Sequence, residues 1–401
     1  MRVWVLFCLF ILYLFTLSSP VSGEFKTPLG SRRVVAFTLD GGRVFISWRY
    51  KESDGDMAKY EVKRSDNKTG PYTMAGIFKQ KDGTNFIDST RNTGKTYYYF
   101  VTTPTGTSRI MEVKTSETGD TCLVIPTRAG SSFSKLAVGD LNGDGLFEFI
   151  ICRTEGNRVS DSNSAGRPND GLPSERGNSR EAALGEKIPL DVEAYTLEGE
   201  LLWRSRLETG ISHGVRDLPL VVWDLDGDGR DEVIVKDMEG DAGNRQPKDS
   251  GERIVVLDPA TGKSCSSEVW PDRLPEVLND NKTGTSSRVG RDQEASQQPS
   301  NGLPLFWDGR IQRELAVDGK IIRPDSREVL ATYRGKPVCI ADVLGDWREE
   351  LITRDGNSIR IYTTNIPTRI RRPSLMDDLQ YRLCVARTAM DCFIQHIGSH
   401  D

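Results

Sequence analysis

The sequence predicts an all-β fold, with an N-terminal β-sandwich followed by a β-propeller that is incomplete. Two observations predict this fold. Short β-rich runs are separated by turn residues, and an acidic motif recurs between such runs. Gly and Pro number 38 and 19 among 401 residues, which suits many short strands joined by turns. The formal net charge of −5 gives no support to a nucleic-acid partner. Contents of 37% hydrophobic and 28% charged residues exclude an integral membrane protein and a wholly disordered chain.

Residues 1–23 are predicted to be a secretory signal peptide. A single Arg precedes an apolar run from Val3 to Leu17, and small residues follow it. The run is shorter than the roughly 20 residues that a membrane-spanning helix needs. We therefore expect a secreted protein, extracellular or periplasmic, with no membrane attachment after cleavage. The alternative is an uncleaved N-terminal anchor.

Residues 24–117 are predicted to form a β-sandwich of the immunoglobulin or fibronectin type III kind. Val34 to Thr38 and Val44 to Tyr50 are β-rich runs, and the turn signal Asp40-Gly41-Gly42 joins them. Further short runs follow at similar spacing, each bounded by turn residues. No catalytic constellation is visible in this unit.

Residues 118–401 are predicted to form the propeller, because one motif recurs there. Residues 140–150 read DLNGDGLFEFI, residues 224–234 read DLDGDGRDEVI, and residues 342–352 read DVLGDWREELI. Each copy lies between two apolar runs, so the repeated unit is strand, acidic loop, strand. Recurring β-hairpins of this kind are typical of propeller blades.

Two polar segments interrupt this pattern, at 155–187 and 264–304. Both are rich in Ser, Asn, Gly, Arg and Pro, and neither has hydrophobic periodicity. We expect long loops or disordered inserts there.

The first two acidic loops have the donor pattern of a calcium site. Side-chain oxygens stand at positions 1, 3, 5 and 9, and the carbonyl at position 7 adds one more, while Ca²⁺ takes six to eight oxygens. The predicted ligands are Asp140, Asn142, Asp144, Leu146 and Glu148 in the first loop, and Asp224, Asp226, Asp228, Arg230 and Glu232 in the second. The alternative is an acidic hairpin turn that is capped by its own Asp side chains.

The third copy is a weaker metal candidate. Asp342, Asp346 and Glu350 keep positions 1, 5 and 9, but Leu344 replaces the oxygen ligand at position 3. In the alternative, hydrogen bonds hold this loop and Arg348 pairs with one of its acids.

Several strings of the chain occur in the order of a known family, over most of residues 34–383. The strings include DGGRVFISWR at 40–49, VGDLNGDG at 138–145, AYTLEGELLW at 194–203, VWDLDGDG at 222–229 and ADVLGDWREE at 341–350. In these strings the chain resembles the rhamnogalacturonan lyases of polysaccharide lyase family 11. The string LGDWREE is the most distinctive of them.

The resemblance implies a β-sandwich ahead of an eight-bladed propeller with several bound calcium ions. It also implies β-elimination on the galacturonate–rhamnose backbone of pectin. A base removes the proton at C5 of galacturonate, a cation or Arg/Lys neutralises the carboxylate, and an unsaturated uronate remains. The family's long central stretch has no counterpart between Asp224 and Asp342, so the expected propeller has fewer blades or stays open.

Four residues are candidates for the chemistry, and no base is assigned among them. His213 is a weak candidate for the base, with a surface or packing role as the alternative. Arg348 and Arg360 are candidates to contact uronate carboxylates, with structural ion pairs or a solvated face as the alternative. Trp307 is a candidate to stack on a sugar, and equally to lie in the core.

Two functions therefore stay open on the sequence. One is a secreted rhamnogalacturonan lyase-like protein, with activity retained or lost, whose partner is the acidic plant polysaccharide rhamnogalacturonan I. The other is a non-catalytic, calcium-stabilised propeller that binds glycan or protein. We expect a monomer in either case.

Overall fold

A computed structural model of the chain describes most of residues 34–390. The described ranges are 34–154, 187–210, 219–238, 252–269 and 302–390, apart from 56, 80–81, 91, 120 and 131. These ranges are all-β except for short 3₁₀ turns and one α-helix, α1 (Leu379–Thr388), which confirms the predicted class. None of their helices has the length and apolar character needed to cross a membrane. The predicted signal peptide lies outside the described residues.

The first unit consists of two antiparallel sheets packed face to face. The three-stranded sheet contains β1 (Val34–Leu39), β2 (Arg43–Trp48) and β5 (Asn85–Asp88). The five-stranded sheet contains β3 (Tyr60–Ser65), β4 (Thr73–Phe78), β6 (Thr96–Thr103), β7 (Gly106–Thr107) and β8 (Met111–Lys114). The hairpin from β1 to β2 turns at the predicted Asp40-Gly41-Gly42 signal, where Gly41 has a φ of 67°.

The alternation of side chains gives the three-stranded sheet two buried faces. On the inner face, Trp48 contacts Tyr60 and Phe78, with ring centroids 5.6 and 5.1 Å apart. On the outer face, Phe37 and Phe45 join an apolar cluster that is shared with the second unit. The sandwich is therefore fixed to the rest of the chain through its three-stranded sheet.

The second unit contains four antiparallel sheets of four strands each, which we call sheets I to IV. Sheet I contains β10 (Lys135–Gly139), β11 (Glu148–Thr154), β12 (Lys187–Tyr195) and β13 (Leu201–Gly210). Sheet II contains β14 (Leu220–Trp223), β15 (Glu232–Met238), β16 (Glu252–Leu257) and β17 (Ser264–Val269). Sheet III contains β18 (Leu303–Leu305), β19 (Glu314–Val317), β20 (Lys320–Ile322) and β21 (Val329–Thr332). Sheet IV contains β22 (Lys336–Ala341), β23 (Glu350–Asp355), β24 (Ser358–Tyr362) and the early strand β9 (Cys122–Pro126).

The apolar clusters show how the four sheets follow one another. Sheet III packs on sheet IV, sheet IV on sheet I, and sheet I on sheet II. No apolar cluster of the described residues joins sheet II to sheet III. Strand β9 pairs with β24, from Pro126 opposite Ser358 to Cys122 opposite Tyr362. The start of the second unit is thereby tied to its C-terminal part.

Helix α1 packs against β10, β14 and β22, the first strands of sheets I, II and IV. The side chain of Asp378 caps it by accepting a hydrogen bond from the Tyr381 N–H at 2.8 Å. At its other end, Ala386 and Met390 cover the face of sheet II that carries Trp223. The helix therefore covers the face of sheet II that lies opposite to the face packed on sheet I.

The prediction of a continuous loop over 264–304 is wrong at both ends. Ser264–Val269 is strand β17, and β18 begins at Leu303. Strand β17 pairs with β16 at the edge of sheet II, where Ser264 and Ser266 are exposed. A polar sequence is compatible with such an edge strand, so composition alone misassigns it. The remainder of this segment and residues 155–186 lie outside the described residues.

Candidate functional site

One loop between the first two strands of each sheet forms the candidate site. We call these segments loop I (140–148), loop II (224–232), loop III (306–314) and loop IV (342–350). Loop III is a fourth copy that the sequence analysis missed. Its Glu314 accepts a hydrogen bond from the N–H seven residues earlier, as Glu148 does in loop I and Glu232 in loop II. Phe306 and Arg310 occupy positions 1 and 5, where the other three loops have Asp. Only Asp308 and Glu314 keep the acidic pattern in the sequence.

Loop II has the geometry expected of a cation site. The carboxylate of Asp224 accepts hydrogen bonds from Gly227 N at 2.7 Å and from Gly229 N at 3.0 Å, which curls the loop around it. One oxygen from each of Asp224, Asp226 and Glu232 lies within 4.8 Å of the others. Carboxylate oxygens have two lone pairs each, so the backbone contacts leave acceptor capacity for a metal. This all-oxygen set fits Ca²⁺, and the carbonyl of Arg230 stays a predicted ligand.

Loop I repeats that frame. Asp140 accepts hydrogen bonds from Gly143 N at 2.8 Å and Gly145 N at 2.7 Å. Asn142 Nδ2 donates a hydrogen bond to Glu148 Oε1 at 3.3 Å, so the side chains at positions 3 and 9 meet in loop I as well. The donor set again fits Ca²⁺, with Asp144 and the carbonyl of Leu146 as further predicted ligands.

Loop IV keeps the frame but supplies its own cation. Asp342 accepts from Gly345 N at 2.7 Å, and the Arg348 guanidinium donates to Asp346 Oδ2 at 2.6 Å. Ser47 of the sandwich donates to the same Asp346 oxygen at 2.6 Å. These protein donors take up the carboxylate oxygens that a metal would use, so the donor geometry corresponds to the hydrogen-bonded alternative.

Loop IV lies in the interior of the molecule. Its acids Asp342, Asp346 and Glu350 are all buried. Burial first, and then the neighbouring Asp346 carboxylate, raise the pKa of Asp342 to about 7, and burial raises the pKa of Glu350 well above its usual range. Trp347 has a φ of 69° at the position where loops I and II have glycine. A left-handed Trp is strained, and the contacts around this loop compensate that strain.

Loop III also contains a guanidinium at its centre. Arg310 donates to Asp308 Oδ2 at 2.8 Å and lies 3.4 Å from Glu314 Oε1. Arg323 donates to the same Asp308 oxygen at 3.1 Å. Both acids are buried, and their charges are balanced by these two arginines. Arginines thus pair with buried acids in loops III and IV, whereas the arginine of loop II, Arg230, pairs with the exposed Asp228.

Adjacent sheets are joined by a buried acid at position 8. Asp231 of loop II accepts from Asp140 N at 2.7 Å, and Glu349 of loop IV accepts from Phe306 N at 2.7 Å. In both pairs the N–H of position 8 donates back to the carbonyl of position 1, at 2.8 Å. Helix α1 contacts both acids, since Arg382 pairs with Asp231 and the Tyr381 hydroxyl donates to Glu349.

The structure corrects two of the predicted substrate contacts. Trp307 is 2% exposed and packs in the apolar cluster between sheets III and IV, so a sugar ring cannot reach it. Arg348 is fully buried by its contacts with Asp346, so its guanidinium does not face solvent. Arg360 is partly exposed and pairs with Asp355 at 2.7 Å. His213 lies outside the described residues.

A basic segment after β24 lies beside loops III and IV. Thr368 donates to the carbonyl of Gly309 at 3.2 Å, which places the segment against loop III. Arg372 stacks over the Trp347 ring at 5.9 Å, and Arg369 is exposed. Arg371 instead points to the sandwich, where it donates to the Lys79 and Asp82 carbonyls. Arg369 and Arg372 are therefore available to an anionic ligand near these loops.

Comparison with known proteins gives consistent matches. The family model described as "Rhamnogalacturonan lyase family 11, C-terminal domain" matches residues 132–254 and 243–393. Rhamnogalacturonan endolyase YesW of Bacillus subtilis is 26% identical over 369 residues, covering 80% of this chain and 54% of that protein. Rhamnogalacturonan exolyase YesX of the same organism is 23% identical over 386 residues, covering 84% and 58%. This chain thus spans about half the length of these curated relatives.

The solved structures agree on the fold. The crystal structure of rhamnogalacturonan lyase YesW aligns with a TM-score of 0.62 at 18% identity, over 90% of this chain and 94% of that one. A Bacillus licheniformis rhamnogalacturonan lyase aligns with a TM-score of 0.61 at 17% identity, over 91% and 95%. At such identities the likeness concerns the fold alone.

Proposed function

Since the chain belongs to rhamnogalacturonan lyase family 11, we propose that it is a secreted lyase that cleaves the galacturonate–rhamnose backbone of pectin by β-elimination. The match of the family's C-terminal domain over 132–254 and 243–393 carries this proposal. The matched region contains all four loops and helix α1. The expected substrate is the acidic polysaccharide rhamnogalacturonan I.

We propose that sheets I to IV are four blades of an open β-propeller. Their four-stranded antiparallel order, and the completion of sheet IV by β9, support this interpretation. The opening would lie between sheets II and III, where the sequence lacks the family's central stretch. Helix α1 would stabilise this opening because it covers the free face of sheet II.

Calcium is proposed for loops I and II only. Asp140, Asn142 and Glu148 would hold one ion, and Asp224, Asp226 and Glu232 the other. A bound ion would supply positive charge that fixes each loop, in the way that Arg310 and Arg348 fix loops III and IV. The chain's own residues supply the backbone donors that orient the first carboxylate of each loop.

The reaction needs a positive charge opposite the uronate carboxylate and a base at C5. Arg369 and Arg372 are the proposed carboxylate contacts, because their segment lies against loop III, Arg369 is exposed and Arg372 is partly exposed. An arginine can hold a carboxylate through two parallel hydrogen bonds and stabilise the charge that develops after proton removal. No base is assigned among the described residues.

The test is cleavage of purified rhamnogalacturonan I, followed by the absorbance of the unsaturated uronate, with Ca²⁺ and then with a chelator. A calcium-dependent rise is expected, and Arg369→Gln with Arg372→Gln should lower the rate at least about tenfold. Lys320→Gln, an exposed change on sheet III, is the matched control and should leave the rate unchanged. A wild-type protein that is folded and releases no unsaturated product would contradict the proposal.

The second candidate is a non-catalytic, calcium-stabilised propeller that binds glycan. The central stretch that the family resemblance implies is missing between Asp224 and Asp342, which favours this candidate because part of a substrate cleft would be missing with it. This candidate predicts retention of rhamnogalacturonan by the protein and a melting temperature that rises with Ca²⁺, without product formation.

A further inference from the structure

The two outer faces of the sandwich differ in what covers them. The three-stranded sheet turns apolar side chains such as Phe37 and Phe45 into the cluster shared with the second unit. The five-stranded sheet turns its outer face away from that contact. Among the described residues, no hydrogen bond, ion pair or ring contact of this outer face reaches the second unit. Met74 and Ile77 on this face are each 47% exposed.

The outer face also carries aromatic side chains. Along β6, Tyr97, Tyr99 and Val101 point into the sandwich core, whereas Tyr98 and Phe100 alternate with them and point outward. Tyr72 meets Phe100 edge-on, with ring centroids 4.8 Å apart. Two outward residues on one strand lie about 6.8 Å apart, so the rings form a row along the strand.

Lysine side chains accompany this row. Lys63 lies opposite Phe100 in the strand register, and its ammonium is 5.7 Å from the ring centroid. Lys114 stands outward on β8, and Lys59 precedes β3 and pairs with Glu61 at 2.7 Å. Two acids share the face, because Glu61 also lies 3.9 Å from the Lys63 ammonium and Glu112 stands opposite Tyr98. The face thus combines aromatic rings with a small excess of lysine over glutamate, although the whole chain has a net charge of −5.

Such a face matches an acidic polysaccharide. The C–H faces of sugar rings pack on aromatic rings, and a flat sheet can accept an extended chain. Ammonium groups beside the rings attract carboxylates, which a neutral glycan lacks. We propose that the outer face around Tyr98, Phe100 and Lys63 binds uronate-bearing polysaccharide, as an accessory surface separate from the site of β-elimination. This inference rests on the proposed function, because the proposed substrate is the ligand.

The experiment is affinity electrophoresis of the full chain in gels that contain rhamnogalacturonan I or a neutral polysaccharide, with chelator present to suppress cleavage. Wild type should be retarded by rhamnogalacturonan I and not by the neutral polysaccharide. The double variant Tyr98→Ala with Phe100→Ala should raise the Kd at least about tenfold, and Lys63→Gln should raise it a few-fold. Val329→Ser, which changes a 49% exposed apolar residue on β21, is the control and should leave retardation unchanged.

Three outcomes would overturn the inference. They are absence of retardation of wild type, a double variant that binds as well as wild type while folded, and dimeric wild type that becomes monomeric in the double variant. The last outcome would assign the face to self-association. Lyase activity of wild type and variants on short oligosaccharides is measured in parallel. Retardation without product contradicts the proposed function and supports the accessory surface, whereas product without retardation does the reverse.

Discussion

Loops II and IV share one backbone frame but balance the charges of their acids in two different ways. In each loop, the Asp at position 1 accepts two backbone N–H groups of that loop, and the Glu at position 9 accepts a third. Loop II is largely exposed, and its arginine, Arg230, pairs with the exposed Asp228. Loop IV is buried beneath the sandwich, and its arginine, Arg348, pairs with the buried Asp346. The comparison teaches that a charge supplied by the chain itself replaces an external cation where the loop becomes part of the interior.

The acids of the two loops differ accordingly. The hydrogen bond from Arg230 lowers the pKa of Asp228, so this exposed acid is ionised, and the guanidinium occupies one of its oxygens. Burial raises the pKa of Asp342 to about 7, because the interior disfavours its charge. A buried loop with several acids therefore depends on its arginine to balance their charge. Four variants test this comparison between the loops.

Arg348→Met should have the largest effect on the free energy of unfolding. It leaves Asp346 buried and without its ion-pair partner, which costs about 3–5 kcal/mol. Urea denaturation, monitored by tryptophan fluorescence, measures the loss. A decrease below about 1 kcal/mol would contradict the assigned role of Arg348 as the internal cation of loop IV.

Asp224→Ala should remove the calcium-dependent stabilisation contributed by loop II. At a calcium concentration 100-fold above the Kd, one site contributes about 2.7 kcal/mol. Thermal melts with Ca²⁺ and with chelator measure this contribution as a difference. Asp342→Asn is the matched control, since it should destabilise the chain equally with and without Ca²⁺. A calcium response that changes in Asp342→Asn and not in Asp224→Ala would reverse the comparison.

Arg310→Met tests whether loop III belongs with loop IV. Asp308 keeps Arg323 as a partner, so the expected loss is about 1–2 kcal/mol, smaller than for Arg348. Urea denaturation of Arg310→Met and Arg348→Met under one set of conditions gives this ranking. An Arg310 variant that is as stable as wild type would show that loop III needs no internal cation.

Arg230→Met should have the smallest effect on stability, about 0–1 kcal/mol, because its ion pair with Asp228 is exposed. Its effect on metal affinity has the opposite sign. Removal of the guanidinium frees Asp228 for the ion, so the calcium Kd should fall a few-fold. Calorimetric titration of the variant and wild type measures both constants, and weaker calcium binding in the variant would contradict this role for Asp228.

The sequence predicts loops I, II and IV because acids recur there at fixed spacing. It misses loop III because Phe306 and Arg310 replace two of those acids, and only the pattern of Asp308 and Glu314 remains. For loop IV, the sequence offers the pairing of Arg348 with an acid as the alternative to a metal. Burial decides between the two, and contacts such as that of Asp346 with Ser47 of the distant sandwich bury the loop.

The strand pairs within each sheet follow from local alternation of apolar residues. The pairing of β9 with β24 does not, since Ile125 and Ile359 are opposite each other although they are far apart in sequence. Trp307 is ambiguous for the same reason, because an aromatic residue after a strand suits a sugar contact and a core equally. Only the packing of sheet III on sheet IV distinguishes the two.

Counting bound calcium tests the central claim most directly. Titration calorimetry of wild type is compared with four single variants, Asn142→Ala, Asp226→Ala, Asp308→Ala and Asp346→Ala. The account predicts that the first two each lose one bound ion and that folded protein of the last two binds as many as wild type. Loss of an ion in Asp308→Ala or Asp346→Ala, or no loss in Asn142→Ala and Asp226→Ala, would contradict it.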